Sequence, residues 1–156
     1  MIRQDVYKSI SPLMNHAYRQ KKWFEKSFKP LCKKYGLKHS ELSILIALHV
    51  NQEIKSAVDI EKFSELKRGN ISVCIDVLCK RGFVKQVPVA NDRRFKHLML
   101  LEDAEVILEK ADEVINYYAN CLFEGITQEE CAACNAVFHK MDDNLKKLYE
   151  KEMEEK

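Results

Sequence analysis

The feature that most limits the fold is a change of apolar period inside an otherwise helical chain. Up to about Arg81 the apolar residues recur every three or four positions, as on one face of a helix. The recurrence then switches. Two β-prone runs, Phe83 to Pro88 and Phe95 to Leu101, flank Val89-Ala90-Asn91-Asp92-Arg93-Arg94. This reads as a hairpin whose loop is too long for a two-residue turn. From Asp103 onward the helical period returns. One hairpin among helices predicts a mainly α (α+β) chain. Only 4 Gly and 3 Pro interrupt its 156 residues, which favours long helices with few loops.

Local signals set the expected boundaries. Ser11-Pro12 opens the first strong helix, with Leu13, Ala17, Phe24 and Phe28 on its apolar side. Pro30 is expected to end or kink it near Lys29, with a short continuation to Tyr35 closed by Gly36. A second helix spans His39 to Val50, its apolar face formed by Leu42, Leu45, Ile46, Leu48 and His49. Glu53 to Lys55 reads as a short extended piece. Ser56 caps a third helix, Ala57 to Phe63, with Asp59 completing an approximate capping box. A fourth runs from about Gly69 to Arg81, stopped by Gly82. A long helix from Asp103 to Leu122 follows. Thr127-x-x-Glu130 is a capping box that opens the last helix, whose apolar positions are Cys131, Cys134, Val137, Phe138, Met141, Leu145 and Leu148. Residues 151–156 are expected to fray.

Charge divides the chain in three. Residues 1–61 carry 11 basic and 6 acidic side chains, residues 62–101 carry 9 and 3, and residues 102–156 carry 6 and 15. A basic middle joined to an acidic end suggests a module that faces a polyanion, attached to one that does not. Ordinary solvated helix faces are the plainer explanation of the same numbers.

The order helix–helix–turn–helix–hairpin is that of a winged helix-turn-helix. Such a fold lays one helix in the major groove of duplex DNA, with an apolar face docked and a polar face reading. On the fourth helix Ile71, Ile75 and Leu78 form the apolar side. Arg68, Asn70, Ser72, Val73, Val77 and Lys80 are candidates for the reading side. Val73 suits a thymine methyl group; Asn70 suits either a base contact or a helix cap. Arg93 and Arg94 at the hairpin tip suit phosphates or a narrow minor groove, and Lys96 follows them.

The same segments resemble a known family. Leu37 to Leu48 resembles the LTxxQxxVLxxL helix of the MarR family, and Ser56 to Glu61 resembles its TxxELA. Asn70 to Val84 resembles TVSRLVDRLEKKGLV, and Asn91 to Leu100 resembles DxRxxxVxLT. The likeness covers about residues 31–150 in order. It implies a transcriptional regulator, expected to be a repressor released by a small ligand or stress signal. It also implies a homodimer on a pseudo-palindromic double-stranded operator. Residues 1–36 and 102–150 would form the helical dimerisation region and residues 37–101 the DNA-binding domain. Arg94 matches the wing arginine; Asp76 would pair with it and, with Asp92, brace the wing. A small aromatic or phenolic effector would lie near His16, Tyr18, Trp23, Phe24 and Tyr35. The chain departs from the pattern at Ser64, Lys67, Gly69, Phe95 and Ala104, which bears on the operator sequence.

Six cysteines offer a second reading, a thiol-based redox sensor. Cys131 and Cys134 form a C-x-x-C on an apolar stripe, where core packing is the plainer reading. Cys32 has Lys29, Lys33 and Lys34 nearby to lower its pKa. The resemblance also allows a zinc site built from Cys32, Glu25, His39 or Glu41, as in metal-responsive relatives; the plainer reading assigns no metal. A third reading is a winged helix kept for protein contacts, with DNA binding lost. No nucleophile–base set and no Gly-rich phosphate loop is present, so neither enzymatic activity nor a cofactor is expected. No apolar run is long enough to span a bilayer and no signal peptide is evident, so the expected compartment is the cytoplasm.

Overall fold

The computed structural model describes residues 4–89 and 92–154, with the side chains of residues 8, 11–89 and 96–151. Its elements are α1 (Gln4–Tyr35), α2 (His39–Val50), α3 (Ala57–Phe63), α4 (Arg68–Lys80), β1 (Val84–Val89), β2 (Asp92–Leu100), α5 (Glu105–Leu122) and α6 (Gln128–Glu154). A 3-10 turn over Glu102–Ala104 leads into α5. The chain divides into two compact units, 1–116 and 117–156.

The first helix departs from expectation. α1 begins by Gln4 and passes through both Pro12 and Pro30. A proline inside a helix costs about 3 kcal/mol, through a lost backbone bond and a ring clash. Around Pro30 that cost is offset. Phe28 and Leu31 flank it and are buried, and each such burial contributes about 1.5–3 kcal/mol. Around Pro12 the only side-chain bond among the described residues is from Asn15 to Ser11, at 3.4 Å. The helix ends as predicted at Gly36, whose φ of +60° suits glycine. Leu37 N–H donates to Cys32 C=O at 2.9 Å, closing a Schellman turn.

α2 and α3 have the predicted bounds. Leu42, Ile44 and Leu45 are buried, so Ile44 joins the expected core face, while His49 leaves it. His49 is exposed and its Nε2 lies 2.9 Å from Asp112 Oδ2 on α5. The Ser56 cap forms: its Oγ accepts from Asp59 N–H at 3.3 Å and donates to Asp59 Oδ2 at 2.7 Å. Lys55 N–H also donates to that carboxylate, at 3.1 Å. These bonds, the one from Ser56 first, hold the Asp59 carboxyl below its ordinary pKa. The extended piece before α3 pairs through one bond, Leu98 N–H to Lys55 C=O at 2.7 Å.

The hairpin corrects the loop prediction. β1 and β2 are antiparallel, with Val84 opposite Leu100 and Pro88 opposite Lys96; Val89 is then opposite Asp92. Residues 93–95 are therefore extra residues on β2. The length assigned to the loop is absorbed by this bulge, leaving two residues between the strands. The core of the first unit gathers Leu42, Leu45, Ile60, Ile71, Leu78, Val84 and Ile107, each at most 2% exposed.

In the second unit the capping box forms. Thr127 N–H donates to Glu130 Oε2 at 2.9 Å, and Glu130 N–H to Thr127 Oγ1 at 3.2 Å. α6 continues to Glu154, past the point where fraying was expected. Val137, Phe138, Met141, Leu145 and Leu148 are exposed on it in a single copy.

Candidate nucleic-acid interface

α4 is amphipathic in the required sense. Ile71, Cys74, Ile75 and Leu78 are buried, and at 100° per residue they cover one side of the helix. Opposite them Arg68, Asn70, Ser72, Val73, Asp76 and Lys80 are exposed, and Val77 is half-buried. Gly69 sits in the middle of that exposed face with open space around its Cα. The two faces follow from composition, since the β-branched and Leu side chains gain by docking on α2 and α3.

The exposed face borders a cleft of about 580 Å³. Arg68, Ser72 and Asp76, one helical turn apart, form one wall; Gln86 and Lys96 on the hairpin form the other, and Ser56 to Val58 at the start of α3 close the end. Asp76, Gln86 and Lys96 all lie close enough to the Cys79 thiol, between helix and hairpin, to act on its ionisation. Burial raises the Cys79 pKa first, and Asp76 adds to the rise. No sequence pattern above singles out Gln86. The strand period alone would have found it, because it lies two residues from buried Val84 and so on the same side of β1.

The predicted residues fall into three groups. Arg68, Ser72, Asp76 and Lys96 converge on the cleft. Asn70, Val73, Val77 and Lys80 form the adjoining strip of α4. The side chains of Asp92, Arg93 and Arg94 lie outside the described residues, and with them the expected Asp76–Arg94 pair.

The five residues expected near an effector all lie on α1. Phe24 and Tyr35 pack against the core, whereas His16 and Tyr18 are exposed. Trp23 meets Phe24 edge-on, with ring centroids 5.2 Å apart. The cysteine expectations also change. Burial and the charge of Glu41 raise the Cys32 pKa, against the lowering expected from its lysines. Glu41 is buried and bonds Lys38 N–H at 2.9 Å, so its charge sits near the thiol. Cys131 is half-buried and Cys134 exposed, so the apolar stripe does not enclose them in a single copy. Among the described residues no three His, Cys, Asp or Glu side chains are placed to hold a metal ion, and no helix is long and apolar enough to cross a membrane.

A docked helix with a polar outward face and a flanking hairpin define a winged helix-turn-helix of the kind used by transcriptional regulators. Residues 35–94 match the sequence model of the MarR family. Over 130 residues the chain is 26% identical to the HTH-type transcriptional regulator PapX of Escherichia coli, covering 83% of this chain and 79% of PapX. In fold it is similar to the transcriptional regulator PA3341, with a TM-score of 0.72 at 22% identity over 86% of this chain and 97% of the other. It is also similar to a mutant of MarR from Escherichia coli complexed with operator DNA, with a TM-score of 0.59 at 17% identity over 86% and 96%. The likeness to the MarR family is thus carried by the winged-helix segment, residues 35–94.

Proposed function

We propose that the chain is a sequence-specific repressor that reads a pseudo-palindromic duplex as a homodimer. The observation that carries this reading is the convergence of Arg68, Ser72 and Lys96 on one cleft beside the exposed strip of α4. Arg68 and Lys96 supply positive charge for phosphates, while Ser72, Asn70 and Val73 face base edges. Arg93 and Arg94, in the bulge beside the hairpin tip, would extend the contact into the minor groove. Dimerisation through residues 1–36 and 102–150 is supported by the apolar stripe of α6, Val137, Met141, Leu145 and Leu148, which a single copy leaves exposed. The acidic bias of residues 102–156 keeps that region off the phosphates. Release by a small aromatic ligand would require residues of both copies, since those of one copy face different sides of α1.

The test is the salt dependence of binding to a duplex selected by the protein from a random library. Arg68→Ala and Lys96→Ala should each make the slope of log affinity against log salt shallower. The change should be about 0.9 for each phosphate no longer neutralised, doubled in a dimer. Slopes equal to that of the wild type in both variants would rule out this interface.

A further inference from the structure

The end of the reading helix is tied to the end of α1 by one side chain that lies outside the reading face. Arg81 is the residue after α4. Its Nη1 donates to Gly36 C=O at 2.8 Å, and its Nη2 donates to Tyr35 C=O. These carbonyls end a 32-residue helix, where the partial charge is negative and a guanidinium is favoured. The other contact is with the hairpin: the guanidinium lies 4.9 Å from the centroid of the Phe83 ring, in cation–π range. Phe83 is itself fixed. Its N–H bonds Leu78 C=O at 3.0 Å, and its C=O accepts from Leu101 N–H at 2.9 Å. One planar group therefore joins α1, α4 and the root of the hairpin.

We infer that Arg81 is a positioning residue for DNA reading: its fork fixes the angle of α4, and of the hairpin beside it, against α1. The inference rests on the DNA-reading function proposed above. Arg81 is exposed, so its bonds stand in competition with water and add little to global stability. Orientation is a different matter. α4 has 13 residues, hence a length of about 20 Å at 1.5 Å per residue. A tilt of about 5° about its C-terminal end would carry its first turn about 1.7 Å sideways, more than a hydrogen bond to a base edge tolerates. A phosphate contact by a flexible cation tolerates the same shift. Loss of the fork should therefore cost specificity and spare non-specific affinity. Lysine cannot replace it, having no planar fork to bridge two carbonyls and lie flat on a ring.

The experiment compares wild type, Arg81→Gln, Arg81→Lys and Phe83→Leu. Each binds two short duplexes, one selected by the wild type from a random library and one of the same composition scrambled. Both Arg81 variants should lose about tenfold on the selected duplex, the scale of one base contact. Binding to the scrambled duplex, its salt slope and the melting temperature should stay at wild-type values. Phe83→Leu, which keeps the fork and removes the ring, should lose less in the same direction. The inference is overturned if Arg81→Lys binds the selected duplex like wild type. It is equally overturned if both duplexes weaken together with a shallower salt slope, because Arg81 would then be a phosphate contact. Should the Arg81 variants unfold, unaltered discrimination by Phe83→Leu overturns it. A wild type that selects no duplex removes the DNA-reading function, and this inference with it. A wild type that selects one, with variants that discriminate as well as it does, removes only the role of Arg81.

Discussion

Ile71 and Val73 sit two residues apart on α4, on its docked and outward sides. Ile71 is fully buried and Val73 is 58% exposed. Ile71→Ala removes three carbons from a closed core. At about 0.8 kcal/mol per carbon the transfer loss is about 2.4 kcal/mol. An unfilled cavity brings it to about 3 kcal/mol, within the range for such changes. For a chain of this length about 3 kcal/mol lowers the melting temperature by about 6–12 °C. Val73→Ala removes two carbons already in water, so its effect on stability should stay within about 0.5 kcal/mol. Its effect on binding should be larger: an apolar contact with a base edge is worth about 1 kcal/mol, or about fivefold in affinity. Circular dichroism melts at one fixed protein concentration measure the first quantity, because subunit association would otherwise shift the midpoint. Fluorescence anisotropy on the selected duplex, well below either melting point, measures the second. The expected pattern is a crossed one: Ile71→Ala melts early and binds normally, and Val73→Ala does the reverse. If Ile71→Ala binds weakly with an unchanged melt, or Val73→Ala melts early with unchanged binding, the two faces have been assigned the wrong way round.

Two further outcomes follow from the site chemistry. Asp59 has a folded-state pKa below its unfolded value, because Ser56 and Lys55 bond its charged form. It therefore contributes stability that is present above the unfolded pKa of about 3.9 and is lost as pH falls through the folded one. In urea titrations from about pH 6 to about pH 2, a window that brackets both pKa values, Asp59→Asn should be less stable than wild type at the upper end. The gap should close towards the lower end; a gap independent of pH would remove the carboxylate from the cap. Thiol accessibility gives the second. Cys121 and Cys134 are exposed and Cys74 is buried, while burial raises the Cys32 and Cys79 pKa values. A thiol-reactive disulfide reagent near neutral pH should label Cys121 before Cys32 and Cys79, and Cys74 last, while Cys134, on the α6 stripe assigned to the dimer seam, is shielded. Cys32 reacting first would restore it as a redox candidate.

How much of this is legible in the sequence depends on the range of the forces involved. α2, α3 and α4 begin and end within a residue of their predicted bounds, because their caps are local. Ser56 meets Asp59 three residues on, and Gly36 and Gly82 adopt φ values of +60° and +75° that other side chains resist. The exposed face of α4 is legible for the same reason, since helical spacing alone separates Ile71, Ile75 and Leu78 from Ser72 and Val73. Gln86 is within reach of the same kind of reasoning, and the role of Arg81 is not.

What the linear chain determined, then, is every feature governed by neighbours within about four positions: element order, caps, the docked and outward sides of each helix, and the resemblance those carry. Tertiary structure decided the rest. It carried α1 through Pro30, because Phe28 and Leu31 find a core that no local rule can see. It moved three residues from the hairpin loop into a bulge on β2. It joined Arg81 to Gly36, 45 positions away, through a carbonyl that has no sequence signature. Local preferences act on dihedrals and adjacent hydrogen bonds, whereas burial and long-range pairing exist only once the chain has closed on itself.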